Sequence, residues 1–373
     1  MPDIELRGVT KRFGKFTAVE NLDLDIGHGD FVTLLGPSGC GKTTTLRMIA
    51  GLETPTEGEI RIDGKTVFSA DSGIDVPPDK RDVGFIFQNY ALWPHMTVEE
   101  NISFGLQNLK WDRERIRARV GELLDTFKIS AFGKRYPSEL SGGQQQRVAI
   151  ARTLATGPKV LFMDEPLSNL DAKLRTEMRT ELKRLHAETR STFVYVTHDQ
   201  LEAMTLSTRT CLMKDGRVQQ YAPPLEVYHA PSNLFVADFV GSPTMNFLEA
   251  TARNVNLDEL KISAGGLGLI FTPVSGSVAL RDDQKVVLGV RPEYLTVRED
   301  GPVRAKVYST LPSGMETAVR LDVRGHHMTS VVFGAIDFEV DQEVGVAFEG
   351  DRCLVFDGES GRYLASGRLA LVP

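Results

Sequence analysis

Three apolar runs punctuate the first two-thirds of the chain: Phe31–Leu35 (FVTLL), Val160–Met163 (VLFM) and Phe193–Val196 (FVYV). Each has the length of a strand and is apolar on both faces, the pattern of parallel strands covered by helices. Each run gives way abruptly to polar residues. The first leads into GPSGCGKTT, the second into DEP and the third into THD. Ligands of open α/β sheets sit at the carboxyl ends of the strands, so these endings predict one shared site.

Between the runs the hydrophobic period becomes helical. Thr43–Ala50 predicts a helix that stops at Gly51, near Pro55. Leu174, Met178, Leu182 and Leu185 recur at helical spacing with charges between them, which predicts an amphipathic helix. From about Asn89 to Tyr136 the chain is rich in Arg, Glu and Leu and reads as a helical insertion. After about Pro231 short alternating runs take over: Val286–Val290, Val303–Val307, Met328–Val332 and Cys353–Phe356, separated by Gly, Asp and Pro. They predict a small antiparallel β-domain, sandwich or barrel. The expected boundary lies near Val236–Ser242, with domains over 1–236 and 237–373.

Composition narrows the function classes. A length of 373 residues suggests two domains or so, and 43 basic against 50 acidic residues leave a net charge of −7. That balance argues against a nucleic-acid or anionic-membrane footprint. Cys40, Cys211 and Cys353 are odd in number and widely spaced, so they predict neither a disulfide scaffold nor a metal site, and they suit a reducing cytosol. The opening MPDIELRGVTKRFG lacks the apolar stretch of a signal peptide. The longest uncharged stretch, Ile262–Leu280, is broken by Gly, Ser, Thr and Pro and reads as β-structure with turns. No segment is expected to cross a membrane.

Gly36-Pro37-Ser38-Gly39-Cys40-Gly41-Lys42-Thr43, followed by Thr44, fits G-x-x-x-x-G-K-[ST]. Such glycines let successive backbone N–H groups turn inward on a phosphate chain, and the next helix presents its positive end to the same anion. Lys42 would reach the β- and γ-phosphates of ATP, and the Thr43 hydroxyl would bind Mg²⁺. Cys40 reads as a small loop residue, since no His or Asp arrangement marks it as a nucleophile. Asp164 could hold Mg²⁺ through its water shell, and Glu165 could orient and deprotonate the attacking water. His198, closing the third run, could reach the γ-phosphate. A second glycine motif, Leu140-Ser141-Gly142-Gly143-Gln144, precedes QQRVAIARTLA. Ser141 is a good helix N-cap, and Val148, Ala151 and Ala155 form an apolar stripe behind it, so this is a second anion-binding helix start.

With these features in order, the first ~240 residues resemble the ABC ATPases, a P-loop NTPase family with an α/β fold that carries a mixed sheet and a helical subdomain, here about 89–157. The resemblance implies an adenine-stacking role for Phe13, with Val19 beside it, a catalytic base at Glu165 and a switch histidine at His198. It also implies a Mg²⁺-sensing hinge at Gln88 and a loop joining two sites at Asp171. The signature of one subunit would close on the ATP of a second copy, giving a head-to-tail homodimer. Asn89–Glu100 resembles the region that receives a coupling helix from a membrane subunit.

GLETPTEGEI, YALWPHMTVEENISFGL, DEPLSNLDAKLR, VTHDQLEAMTLS, LFVADFVGSPTMNFLEA and GVRPEYL resemble ATPase subunits of bacterial carbohydrate importers. That implies an OB-like, all-β regulatory and dimerising C-terminal domain. It also implies two integral-membrane permease subunits, an extracytoplasmic solute-binding protein and a place at the cytoplasmic face of the inner membrane. Importers for polyols, glycerol phosphate, polyamines, iron or sulfate use similar engines. Two other classes stay open: a soluble ABC ATPase acting on DNA or ribosomes, and a C-terminal domain that binds a regulatory protein or ligand, with His326-His327 as a handle.

Overall fold

The computed structural model describes residues 2–256, 258–274, 278, 280–281 and 283–372. Its contacts divide the chain into two compact units, Met1–Pro224 and Leu225–Pro373. The division falls earlier than the Val236–Ser242 boundary read from sequence. The reason is packing: α7 (Pro224–His229) and α8 (Leu234–Phe239) are tied to the C-terminal unit, where Ala237 packs with Met245, Leu354 and Phe356.

The first unit opens with β1 (Pro2–Phe13) and β2 (Phe16–Gly27), two long strands that the sequence reading did not foresee. They join β4 (Glu57–Ile62), β5 (Lys65–Ser69) and β6 (Ile74–Asp75) in a five-stranded sheet ordered β2-β1-β4-β5-β6. A second sheet holds β3 (Phe31–Leu35), β7 (Val83–Ile86), β8 (Val160–Asp164), β9 (Thr192–Val196), β10 (Arg209–Lys214) and β11 (Arg217–Ala222) in the order β11-β10-β3-β9-β8-β7. All its pairings are parallel except β10 with β11. The three apolar runs of the sequence are β3, β8 and β9.

Alternation along these strands feeds two cores. Val160 and Phe162 of β8 and Val194 and Val196 of β9 meet Ile4, Leu6, Leu24 and Ile60 of the first sheet and Met48 and Ile49 of α1 (Lys42–Ala50). Leu161, Met163, Phe193 and Tyr195 point to the other face. There they meet α2 (Val98–Asn108), α3 (Arg113–Thr126), α4 (Gly142–Ala155) and α5 (Ala172–Thr189) through Ile102, Leu123, Val148, Ala151, Met178 and Leu182. The amphipathic stripe on α5 and the helical insertion thus appear as read. The short α6 (Gln200–Leu206) follows β9.

The second unit is β-rich as expected, but it holds two sheets. Strands β12 (Asn246–Asn254), β13 (Leu260–Ala264), β14 (Leu267–Pro273), β15 (Gln284–Val290), β21 (Cys353–Asp357) and β22 (Tyr363–Leu371) close a barrel. Strands β16 (Leu295–Arg298), β17 (Val303–Pro312), β18 (Glu316–Val323), β19 (His326–Phe333) and β20 (Glu343–Phe348) form a five-stranded sheet. The uncharged stretch Ile262–Leu280 supplies part of β13 and β14, and residues 275–277 and 279 of it lie outside the described residues. Among the described residues no helix is long and apolar enough to cross a membrane.

Arg291, from the GVRPEYL segment, fastens the two short helices to this unit. Its side chain is buried, donates to the carbonyls of Ala237 (3.2 Å), Val240 and Tyr228 (2.8 Å), and lies over the Tyr228 ring at 4.0 Å. Arg291→Met fills the space but removes every donor, leaving buried carbonyls unpaired. The expected cost is about 3 kcal/mol, read as a lower denaturant midpoint of the C-terminal unit with lost hydrogen-exchange protection over Tyr228–Val240.

Candidate active site

Because β3, β9, β8 and β7 are parallel neighbours, their carboxyl ends form one edge. Gly36, Thr197, Glu165 and Phe87 open four loops along it. Three of those loops were read from sequence; the fourth, which carries Gln88, was placed only by resemblance.

The first loop wraps ahead of α1. Gly41 sits at φ 102°, and a Cβ there would stand 2.5 Å from the Ala18 carbonyl oxygen, so glycine is required. Val19 is fully buried against the same loop; its side chain supports Gly41 and offers no open face. Ser38 and Gly39 are exposed at the crown, and Pro37, Thr43 and Thr44 are half-buried. The first turn of α1 holds no acidic residue, which leaves its N–H groups to an anion. Lys42 is 6% exposed, with its ammonium on the carbonyls of Gly36 (2.7 Å) and Pro37 (2.9 Å). Its third direction meets only the Cys40 sulfur at 3.7 Å, a weak acceptor that a phosphate oxygen would outcompete. Burial pushes the Cys40 thiol up, which suits a loop residue and not a nucleophile.

Across from the loop, Asp164 is buried at the end of β8 and accepts from the Thr43 hydroxyl at 2.9 Å, with Arg47 at 3.4 Å. These hard oxygens at the mouth of a phosphate loop fit Mg²⁺. Among the described residues there is no cluster of three or more His, Cys, Asp or Glu able to cage a metal. Mg²⁺ needs none, since it keeps waters and substrate phosphates as ligands.

Glu165 comes next with φ 45°, a left-handed backbone uncommon for a non-glycine residue. Its N–H donates to the Val196 carbonyl at 3.1 Å, so the next strand helps hold the turn. His198 Nδ1 stands 3.3 Å from Glu165 Oε2, and Gln88 Nε2 donates to the same oxygen at 3.5 Å. Both neighbours converge on Oε2, and an oxygen held by two groups leaves the other carboxylate oxygen as the acceptor for a water proton. Asp171 caps α5, its Oδ1 accepting from Leu174 N at 3.0 Å.

The signature segment lies apart. Ser141 caps α4 in a reciprocal box with Gln144, at 3.4 Å and 2.9 Å, and Leu140 is buried. Gly143 packs directly under Leu174: a Cβ would stand 2.1 Å from Leu174 Cδ2, so any larger residue must displace that side chain. Ser141 and Gly142 are exposed. Among the described residues no hydrogen bond joins Leu140–Gln144 to Gly36–Thr44. Phe13, at the end of β1, is 47% exposed and free to offer a ring face, with Lys11 over it at 4.8 Å.

Three residues escaped the sequence reading. Asn169 Nδ2 donates to the Gln88 carbonyl at 3.3 Å. Arg152 of α4 donates to the carbonyls of Tyr90 (2.9 Å) and Ala91 (2.7 Å), both at positive φ. Asn101 of α2 is fully buried and closes the Trp93–Thr97 loop: it accepts from Trp93 N at 3.0 Å and donates to the carbonyls of Trp93, Met96 and Thr97. A polar residue between Val98 and Ile102 on a core-facing helix was the signal available.

Three family models match successive parts of the chain. An ABC transporter family model matches residues 19–168, a MalK OB fold domain model 241–295, and a TOBE domain model 288–356. The chain is 46% identical to the spermidine/putrescine import ATP-binding protein of Rubrobacter xylanophilus, over 96% of this chain and 94% of that one. It is 43% identical to the trehalose/maltose import ATP-binding protein of Thermococcus litoralis, over 97% and 99%. It is 44% identical to the xylose/arabinose import ATP-binding protein of Haloferax volcanii, over 99% and 97%. Among solved structures, a dimeric ATP-binding cassette in a post-hydrolysis state with ADP and Pi is similar at 37% identity and a TM-score of 0.52. The match covers 59% of this chain and 98% of that one.

Asn101→Ala strips the Trp93–Thr97 loop of its internal partner. The expected loss is about 2 kcal/mol, seen in denaturant unfolding together with faster hydrogen exchange at Trp93.

Proposed function

The chain belongs to the ATP-binding subunits of ABC importers, ATPases coupled to transport, and we propose that Glu165, His198 and Gln88 hydrolyse ATP held by the Gly36–Thr44 loop. The observation that carries this reading is the convergence of His198 and Gln88 on one oxygen of Glu165, beside the Thr43–Asp164 pair. ATP would lie with its phosphates in the loop and its adenine on Phe13. Lys42 would turn its third N–H from the Cys40 sulfur to a phosphate oxygen. Thr43 and Asp164 would hold Mg²⁺, Asp164 through water, and the ion would neutralise charge on the phosphate oxygens. Glu165 would take the proton of the attacking water on Oε1, while His198 keeps the carboxylate aimed.

The exposed Ser141 and Gly142 support a second half of the site supplied by another copy. Two chains would pair head to tail, each signature closing on the partner's ATP, with Asp171 between the sites. Hydrolysis would remove the nucleotide that bridges the pair and let it open. Asn89–Glu100, braced by Asn101 and Arg152, would pass that motion to two membrane permease subunits served by an extracytoplasmic solute-binding protein, with the chain working at the cytoplasmic face of the inner membrane. The C-terminal unit would regulate and dimerise the engine. No nucleic-acid role is proposed.

For the solute, a sugar or sugar-like compound is the first reading, supported by the MalK-type OB domain and the trehalose/maltose and xylose/arabinose relatives. A polyamine is the second, on the spermidine/putrescine relative.

Glu165→Gln should lower ATPase turnover by roughly 10²–10⁴-fold and accumulate an ATP-bound dimer in light scattering. Normal turnover would remove Glu165 from the base role. Labelled uptake of sugars, polyols and polyamines in a strain lacking the subunit, restored by wild type but not by Glu165→Gln, names the solute class.

A further inference from the structure

Behind the loop of His198 lies a buried carboxylate that the hydrolytic reading does not use. Glu202, on α6, is 3% exposed. Its Oε2 accepts from the Tyr195 hydroxyl at 2.8 Å and from the Thr197 hydroxyl at 2.6 Å. Its Oε1 stands 4.0 Å from Arg175 Nε, a buried nitrogen with no hydrogen-bond partner. Keeping a carboxylate in such a place is costly, and an apolar side chain would pack there without the penalty.

The connections made by this group explain its presence. Tyr195, in β9 in the middle of the sheet, supplies the second hydroxyl on this oxygen and lies off the path from Glu202 to the histidine. Thr197 is the residue before His198, and its hydroxyl also accepts from Asp199 N at 3.0 Å, so it closes the backbone around the histidine. Asp199 caps α6 through Leu201 N (2.8 Å) and Glu202 N (3.2 Å), and its Oδ2 lies 3.6 Å from Arg175 Nη1. Arg175, on α5, donates Nη2 to the carbonyl of Leu170 at 3.1 Å. Leu170 immediately precedes Asp171. The buried Glu202 and the half-buried Arg175 therefore together touch both flanks of His198 and the turn that carries Asp171.

We propose that Glu202 and Arg175 are positioning residues for ATP hydrolysis: through Thr197 and Asp199 they hold His198 on Glu165, and through Leu170 they keep the Asp171 turn in the same register. The proposal rests on Glu165 as the base and His198 as the group that aims it. It makes the histidine loop and the Asp171 turn one mechanical piece, so a displacement at one is felt at the other.

Two substitutions separate this from simple packing. Thr197→Val and Tyr195→Phe each remove one hydroxyl from the same carboxylate oxygen, but only the first cuts the path to His198. Thr197→Val is expected to lower kcat for ATP by roughly 10- to 100-fold, the scale of a slightly misplaced catalytic group, with KM within about twofold. Tyr195→Phe is expected to stay within about threefold of wild type on the same scale. Thr197→Ser, which keeps the hydroxyl, should restore kcat and so shows that folding damage is not the cause. In a His198→Ala background Thr197→Val should add no further loss, because both act through one imidazole. Equal losses from the valine and phenylalanine variants, a serine variant as slow as valine, or losses that multiply in the double mutant each overturn the proposal. Wild-type turnover in His198→Ala alone overturns the reading of the active site, and the proposal with it, by a separate route.

Discussion

The parallel pairing of β3, β9, β8 and β7 is the constraint that creates the edge on which the candidate active site lies. Asp164 is level with Val196, and Leu34 is level with Val196 on the other side. That register sets the phosphate loop, the two carboxylates and the histidine side by side. The register is itself enforced by burial, because both faces of these strands feed apolar cores. A slip of one residue would exchange every side chain between the cores, pushing Phe193 and Tyr195 into space shaped for Val194 and Val196. Hydrophobic packing thus fixes the positions of polar atoms it never touches.

Once the strands are in register, short polar contacts refine the site. Glu165 carries an unfavourable backbone conformation, and such strain persists only where surrounding contacts outweigh it. Here those contacts are the Val196 carbonyl, the Ser168 hydroxyl on the Glu165 carbonyl, and the neighbours on Oε2. The signature helix has a different status. It is anchored by its apolar face, with its serine turned to its own capping box and Gly142 outward. The phosphate loop and the signature are thus each complete as local structures, and neither completes the other within one chain.

The C-terminal unit shows the same economy with a different device. Two short helices are held by apolar packing of Ala237 and Leu234 and by one buried guanidinium, whose donors match carbonyls from α7, α8 and the turn after α8. The closed barrel removes the edges that six strands would otherwise expose, and it also brings Leu354 and Phe356 of β21 under Ala237.

Local chemistry was legible in the amino-acid order alone. The phosphate loop, the DE pair, the THD ending, the Ser141 cap and the stripe on α5 are all decided by residues within a turn or a strand of one another. That is why they could be read from Gly36 to His198, and why a β-rich tail could be read from alternation. Which distant groups meet was settled by three-dimensional packing. The convergence of Gln88 and His198 on Glu165 follows from the order of the strands, whereas the bracing of the Trp93–Thr97 loop by Asn101 and the contacts of Glu202 join segments through buried polar groups. The division after Pro224 follows from the packing of α7 and α8 on the C-terminal unit. A buried polar residue looks in sequence like any other Asn, Glu or Arg, because its meaning lies in the desolvated space around it, and only packing creates that space.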